Sequence, residues 1–171
     1  MHAIESEVER IMSEPWSYRG LPPRAQNDLR LSFSSNYSLG VWSCWSVFSD
    51  GASFFIRRIE WARGRDRVRV AGEAPTTYGA ESPLPSMLAA ELLAQANAFA
   101  TAGLPLEPSG ITIDGVSRWL FVRDAANQTI SVNWQAGAAC AEAIDSWLEA
   151  ASEASNEVLP SSSAREAQSA A

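Results

Sequence analysis

The sequence predicts an α+β domain, in which an antiparallel β-sheet of five to six strands has helices packed on one face. Three observations predict this class. Apolar and polar residues alternate over several short segments, the Asp50-Gly51 dipeptide favours a hairpin turn, and two longer segments carry apolar residues at helical spacing. The predicted element order is α-β-β-β-(β)-α-β-β-α, and the sheet is expected to keep one wet face.

The first half of the chain is expected to hold one short helix and a meander of strands. Ile4, Val8 and Ile11 recur at helical spacing, and Pro15 is expected to end this helix. Alternating patterns predict strands at 29–34, 37–48, 53–61 and 67–70. Residues 74–85 contain Pro, Thr and Ser, and are predicted to form a loop.

The second half of the chain is expected to form a helix, a second hairpin and a closing helix. The first helix is expected from about Pro83 to Ala102, with Ser82 as N-cap and Gly103 following its end. The hairpin strands are predicted around 111–113, 119–122 and 130–134, and the last helix at about 138–154. Residues 1–154 would then form a single domain, and the Ser- and Ala-rich segment 155–171 a disordered tail.

Composition narrows the classes of function. The chain has 171 residues and a formal net charge of −7, which argues against nucleic-acid binding and favours attraction to basic partners. The acidic segment Met1–Glu14 lacks an export signal and no apolar run is long enough for a membrane span, so a cytoplasmic location is expected. Cys44 and Cys140 have no metal-type spacing and are interpreted as small buried hydrophobic residues.

Residues that support catalysis are scarce, so no catalytic, cofactor-binding or metal site is predicted. The single histidine is His2, and the chain has no lysine for a Schiff base or a phosphate-binding loop. Asp66, Asp114 and Asp124 occupy predicted turns, where aspartate makes local hydrogen bonds. A small enzyme that uses a pair of carboxylates stays open as an alternative, and it predicts a cleft with perturbed carboxylates.

Two surfaces are candidate contacts for a protein partner. The closing helix carries four acidic residues near helical spacing and no basic residue, which favours a partner that is basic at the contact: Glu142, Asp145, Glu149 and Glu153. Trp42 and Trp45 point to opposite faces of a regular strand, so at least one of them is expected to be exposed. An exposed tryptophan is typical of an interface hot spot.

Arginines cluster in one hairpin, and their role stays open at this point. Six of them lie between Arg57 and Arg69, opposed only by Glu60 and Asp66, so the local formal charge is +4, six minus two. Such a cluster indicates either an anion-binding patch or a solvated strand face that pairs with the acidic helices.

Two stretches resemble the small α+β immunity proteins of bacterial polymorphic toxin systems, including type VI and contact-dependent secretion. The first is Leu29–Asn36 followed by a strand and Asp50-Gly51; the second is Ile113–Gly115, two strands ending in Trp134, and an amphipathic helix. The resemblance covers about 29–150 and implies stoichiometric inhibition of a cognate toxin, with no catalytic residues. The acidic first helix and the arginine-rich hairpin depart from this pattern.

An alternative resemblance is to class I type III secretion chaperones, which bind an effector's N-terminal segment. Those proteins are also small and acidic, and they have a similar order of helices and strands. Their hydrophobic strand pattern after the first helix is not evident in this sequence. The chaperone alternative implies an obligate dimer, so a homodimer stays open as well.

Overall fold

The computed structural model describes residues 2–36, 41–66, 74–102, 116–124, 126–137 and 141–161. It confirms the α+β class. Six strands are present among these residues: β1 (Leu29–Asn36), β2 (Val41–Ser49), β3 (Phe54–Ala62), β4 (Thr77–Leu84), β5 (Ser117–Arg123) and β6 (Thr129–Gln135). The helices are α1 (His2–Ser13), the single turn α2 (Arg63–Asp66), α3 (Ser86–Thr101) and α4 (Glu142–Val158).

All neighbouring strands are antiparallel, and their spatial order is β4-β3-β2-β1-β5-β6. The hairpin predicted at Asp50-Gly51 joins β2 to β3, and Gly51 has a positive φ of 93°. The carboxylate of Asp50 accepts the backbone N–H groups of Ala52 and Ser53, which explains why this dipeptide favours the turn. The β5–β6 hairpin also forms where the alternation predicts it.

Helices cover the sheet on both faces rather than on one. One face packs with α3 and α4 in the larger hydrophobic cluster, which includes Leu31, Val47, Ile56, Leu92 and Ile144. The opposite face packs with α1 in a smaller cluster. Its members are Val8, Met12, Trp42, Cys44, Ile59 and Trp61. The alternation of β2 and β3 therefore carries apolar residues toward both faces, which a sheet with one wet face would not require.

The prediction of a loop at 74–85 is wrong for most of that segment, because β4 spans Thr77–Leu84. Helix α3 accordingly begins at Ser86, and not at Pro83. As an outer strand of the sheet, β4 tolerates proline. Gly79 lets the ring of Tyr18 approach the strand backbone: a Cβ at this position would lie within 2.9 Å of three ring carbons.

The C-terminal boundary also differs from the prediction. Helix α4 continues through Ser155 to Val158, and both Ser155 and Leu159 are buried. The Ser161 hydroxyl donates hydrogen bonds to both carboxylate oxygens of Glu60 on β3. The packed structure therefore extends to 161, because the apolar face of α4 continues past the predicted end.

Several predicted features lie outside the described residues. They are the strand at 67–70, Gly103, the strand at 111–113 with Asp114-Gly115, Cys140, and the rest of the predicted tail at 162–171.

Candidate protein-binding surface

Trp42 and Trp45 do not form an exposed surface. They point to opposite faces of β2 as predicted, but their exposed fractions are only 8% and 2%. Trp42 packs edge-on against Trp61 at a centroid distance of 4.9 Å, beneath α1. Trp45 lies in the larger cluster, with the Arg58 guanidinium 4.3 Å from its ring centroid. The expectation that one of them is exposed was wrong because helices cover both faces.

Helix α4 is seated on the sheet through the carboxylate of Asp145. Its Oδ1 accepts the indole N–H of Trp134 at 2.6 Å and lies 2.9 Å from Nη1 of Arg118. Its Oδ2 accepts the backbone N–H of Gly137 at 2.8 Å. Asp145 thus connects the first turn of α4 to β5, β6 and the turn after β6. It is a structural residue and not part of a free acidic surface.

Three of the four predicted acidic residues of α4 remain on the surface, namely Glu142, Glu149 and Glu153, which we call the acidic stripe. The side chain of Glu149 is 69% exposed although one of its oxygens accepts Arg118 Nη2 at 2.9 Å. Helix α4 contains five acidic residues and no basic residue. The stripe therefore presents negative charge from a rigid helix whose opposite side is buried in the larger cluster.

A pocket of about 240 Å³ lies between α4 and the sheet, beside the acidic stripe. It is lined by Ser35, Arg118, Leu148, Glu149, Ser152, Glu153 and Asn156. The hydroxyl of Ser35 and Nε of Arg118 are buried there without a hydrogen-bond partner in the described part of the chain. Such buried polar atoms cost free energy until a water or a bound group satisfies them.

The arginine-rich hairpin does not form a basic patch in its described part, because its arginines pair internally. Arg57 is fully buried, and its guanidinium donates to Glu81 at 2.7 Å and to the backbone carbonyls of Pro15 and Pro22. Arg24 donates to the other oxygen of Glu81 at 2.6 Å. Of the two interpretations, pairing with acidic residues fits these contacts. The expected solvated strand face is wrong for Arg57, which is buried, and its partner Glu81 lies on β4 and not on a helix.

The same pairing governs the ionisation of Glu81. Burial alone would raise the pKa of this carboxyl, but the hydrogen bonds and positive charges of Arg24 and Arg57 outweigh it. The pKa of Glu81 therefore lies below its ordinary value of 4.5. The carboxylate is held ionised between two guanidinium groups, which suits a structural contact.

Two further arginines of the hairpin have acidic partners. Arg58 pairs with Glu60, and it also donates to Asn156 and to the carbonyl of Leu159 at the end of α4. Arg63 pairs with Glu5 of α1. The side chain of Arg65, and Arg67 and Arg69 entirely, lie outside the described residues.

Two of the three aspartates predicted to lie in turns are described, and both accept hydrogen bonds that hold the local structure. Asp66 accepts the indole N–H of Trp61 at 2.6 Å and both the hydroxyl and the backbone N–H of Thr76 at 2.8 Å. Asp124 accepts the backbone N–H groups of Ala126 and Gln128 and closes the β5–β6 turn. Within the described ranges, no group of three or more His, Cys, Asp or Glu side chains has the geometry of a metal site.

Sequence reasoning missed Arg118, which organises the acidic end of α4. The signal was present: residues 118, 120 and 122 share one face of β5, so a lone arginine precedes two core residues. A buried arginine on that face requires acidic partners, and α4 is the neighbouring source of them.

Among the described residues, the face of β5 and β6 opposite α4 is partly open to solvent. Trp119 and Phe121 are partly buried there, with ring centroids 6.4 Å apart, and Trp119 packs against the smaller cluster. Thr129, Ser131 and Asn133 of β6 are exposed on the same face. This part of the sheet keeps the wet face that the sequence predicted for the whole.

Comparison of the chain with protein-family models, with curated proteins and with solved structures finds no match. The resemblance to immunity proteins and the alternative resemblance to secretion chaperones therefore stay predictions. Among the described helices, none combines the length and the apolar character that crossing a lipid bilayer requires.

Proposed function

We propose that this chain is a non-catalytic protein-binding module that acts in the cytoplasm as an immunity protein, inhibiting a cognate bacterial toxin. The observation that carries the proposal is the acidic stripe. Glu142, Glu149 and Glu153 are exposed on a helix that is fixed to the sheet by the Asp145 contacts. A rigid surface of one charge binds with little loss of conformational entropy, which suits tight stoichiometric inhibition.

Charge explains how such a surface would select its partner. The chain carries a net charge of −7, and the described arginines of the basic hairpin pair with acidic residues in the interior. Within the stripe, Glu149 is paired with Arg118, and its side chain is still 69% exposed. A basic surface on the toxin would be drawn to the stripe, which raises the association rate at low ionic strength.

The pocket beside the stripe adds shape to this surface. Its lining includes the carboxylates of Glu149 and Glu153, which can accept hydrogen bonds. A lysine or arginine side chain of the toxin would find acceptors there, and a convex residue entering a pocket is typical of interface hot spots.

The test is a binding measurement with the product of the neighbouring gene, if that gene encodes a protein with a toxin-like C-terminal domain. Glu142→Lys combined with Glu153→Lys reverses the stripe and leaves the Glu149–Arg118 pair intact. We expect the association rate to fall at least roughly tenfold at low salt, with a weaker dependence on ionic strength. Growth protection by the co-expressed chain should weaken in parallel.

The matched control is Glu9→Lys combined with Glu91→Lys, which changes the net charge equally at exposed residues of α1 and α3. This control should leave association nearly unchanged. Equal slowing by both double variants would show that net charge, and not the stripe, matters. An upstream secreted effector bound through its N-terminal segment would instead favour the chaperone.

A further inference from the structure

Among the described residues, β4 and β6 are the outer strands of the sheet, and they differ in how their free edges are protected. An exposed edge offers unpaired N–H and C=O groups to another strand, and proteins block it with proline, charge or covering segments. Strand β4 has such protection: it contains Pro83 and Glu81, and Tyr18 and Arg24 bind its side chains Thr77 and Glu81. Strand β6 reads TISVNWQ, with neither proline nor charge.

The hydrogen-bond pattern shows which groups of β6 face outward. The backbone N–H of Ala136 donates to Val116, and Asp124 N–H donates to the carbonyl of Gln128. Even-numbered residues of β6 therefore bond to β5. In an antiparallel ladder the alternate residues point the other way, so Thr129, Ser131, Asn133 and Gln135 direct N–H and C=O groups to the free edge.

The edge of β4 offers fewer free backbone N–H groups than the edge of β6. Ala62 N–H donates to Thr76, so odd-numbered residues of β4 face outward. Among these, the Thr77 N–H is bonded to the carbonyl of Pro75, and Pro83 has no N–H. The edge of β6 thus offers four outward donors, whereas β4 offers two.

We infer that β6 pairs antiparallel with β6 of a second copy of this chain, about a two-fold axis at Val132. This centre is the only one that overlaps all seven residues of the strand. It opposes Ser131 to Asn133 and Thr129 to Gln135 of the other copy, and these pairs hold the outward N–H and C=O groups. Val132 faces Val132 as a pair without hydrogen bonds, where Cα atoms lie about 4.5 Å apart.

Side chains and charge suit this pairing. On the α4 side Ile130 meets Trp134 and Val132 meets Val132, which covers the two half-buried aliphatic residues. On the other side small polar residues meet one another. Residues 128–137 contain no charge, so two copies of this segment approach without direct repulsion although each chain carries −7.

Register-specific crosslinking tests the dimer. In a Cys140→Ala background, Val132→Cys should give a disulfide-linked dimer under mild oxidation, because the opposed Cα distance falls within the disulfide range. Ser131→Cys is the control, since residue 131 opposes residue 133 and the two introduced thiols would lie out of reach of each other. Crosslinking is read on a non-reducing gel, and light scattering gives the molar mass of the unmodified full-length chain.

A second variant separates the dimer from the fold. Ser131→Pro removes an outward N–H that β5 does not use, so the monomer should keep its circular dichroism and melting temperature. The dimer should dissociate at concentrations at least roughly tenfold higher than for the unmodified chain, because two inter-chain hydrogen bonds are lost. A monomeric mass at about 100 μM, or equal crosslinking of the Ser131→Cys and Val132→Cys variants, would overturn the inference.

Discussion

The strands on either side of β1 place their polar side chains in different environments. Strands β2, β3 and β4 are covered on both faces, and they enclose Arg57 and Arg58 with acidic partners. In the described part of the chain, α3 and α4 cover one face of strands β5 and β6. On the other face Trp119 packs against the smaller cluster and is partly buried, and Ser131 and Asn133 are exposed. We call these regions the two-sided half and the one-sided half.

We infer from this difference that the two-sided half contributes mainly to stability and the one-sided half to binding. In the two-sided half, charges are used internally, so they are not available to a partner. In the one-sided half, the open face, the uncharged edge of β6 and the acidic stripe above it are accessible as far as the described residues are concerned. Binding surfaces are therefore expected in the one-sided half, and substitutions that unfold the protein in the two-sided half.

The largest effect should come from the two-sided half. Glu81→Ala leaves the fully buried guanidinium of Arg57 without its carboxylate, and also unpairs Arg24. We expect a loss of about 3–5 kcal/mol in the free energy of unfolding, measured by urea denaturation. Glu91→Ala, at an exposed glutamate on α3, is the control and should change stability by less than about 0.5 kcal/mol. A similar small loss for Glu81→Ala would contradict the comparison.

A smaller loss is expected where α4 joins the one-sided half. Asp145→Ala removes the acceptor for Trp134 and Gly137 and one partner of Arg118, but Glu149 still binds that guanidinium. The expected cost is about 2–3 kcal/mol in the same denaturation experiment. Glu142→Ala, one turn earlier on the exposed stripe, should be nearly neutral. If both variants behaved alike, Asp145 would have no anchoring role.

Gly79→Ala tests the close packing of the two-sided half. The added Cβ meets the Tyr18 ring, and we expect a destabilisation of about 1–3 kcal/mol. In a Tyr18→Leu background the same substitution should cost less, because the clashing ring is gone. A double-mutant cycle of melting temperatures measures this coupling, and additive effects would show that the ring does not restrict residue 79.

The mildest test uses pH. Because the folded-state pKa of Glu81 is below 4.5, its ionised form stabilises the fold above that pH, and this contribution is lost as pH falls through the folded-state pKa. Glu81→Gln should therefore unfold with a urea midpoint that changes less than that of the unmodified chain between about pH 6 and pH 3. Equal changes for both proteins would assign the acid sensitivity to other groups.

Local pattern predicted the elements whose residues interact with near neighbours. The hairpin at Asp50-Gly51, the amphipathic faces of α1 and α4, and the β5–β6 pair follow from alternation, turn chemistry and helical spacing. Strand β4 was not predicted because the residues that stabilise it lie far from it in the sequence. Gly79 faces the ring of Tyr18, and Glu81 accepts hydrogen bonds from Arg24 and Arg57. Without these contacts, a segment that contains Pro83 has the local pattern of a loop.

The candidate site was predictable in part for the same reason. Helical spacing identified the acidic residues of α4, and the structure leaves Glu142, Glu149 and Glu153 exposed. That Asp145 binds Trp134 and Arg118 could not be read from spacing, since these contacts depend on how α4 crosses the sheet. The prediction that Trp42 or Trp45 is exposed is wrong because helices cover both faces of their strand.

The contacts between β3 and the end of α4 have a consequence for synthesis on the ribosome. Arg58 donates to Asn156 and Leu159, and Glu60 accepts from Ser161, about a hundred residues later in the chain. Until translation reaches these residues, Arg58 and Glu60 of β3 lack partners that they have in the finished protein. Completion of the fold therefore waits for the last turn of α4, and chains that stall earlier should be open to cellular proteases.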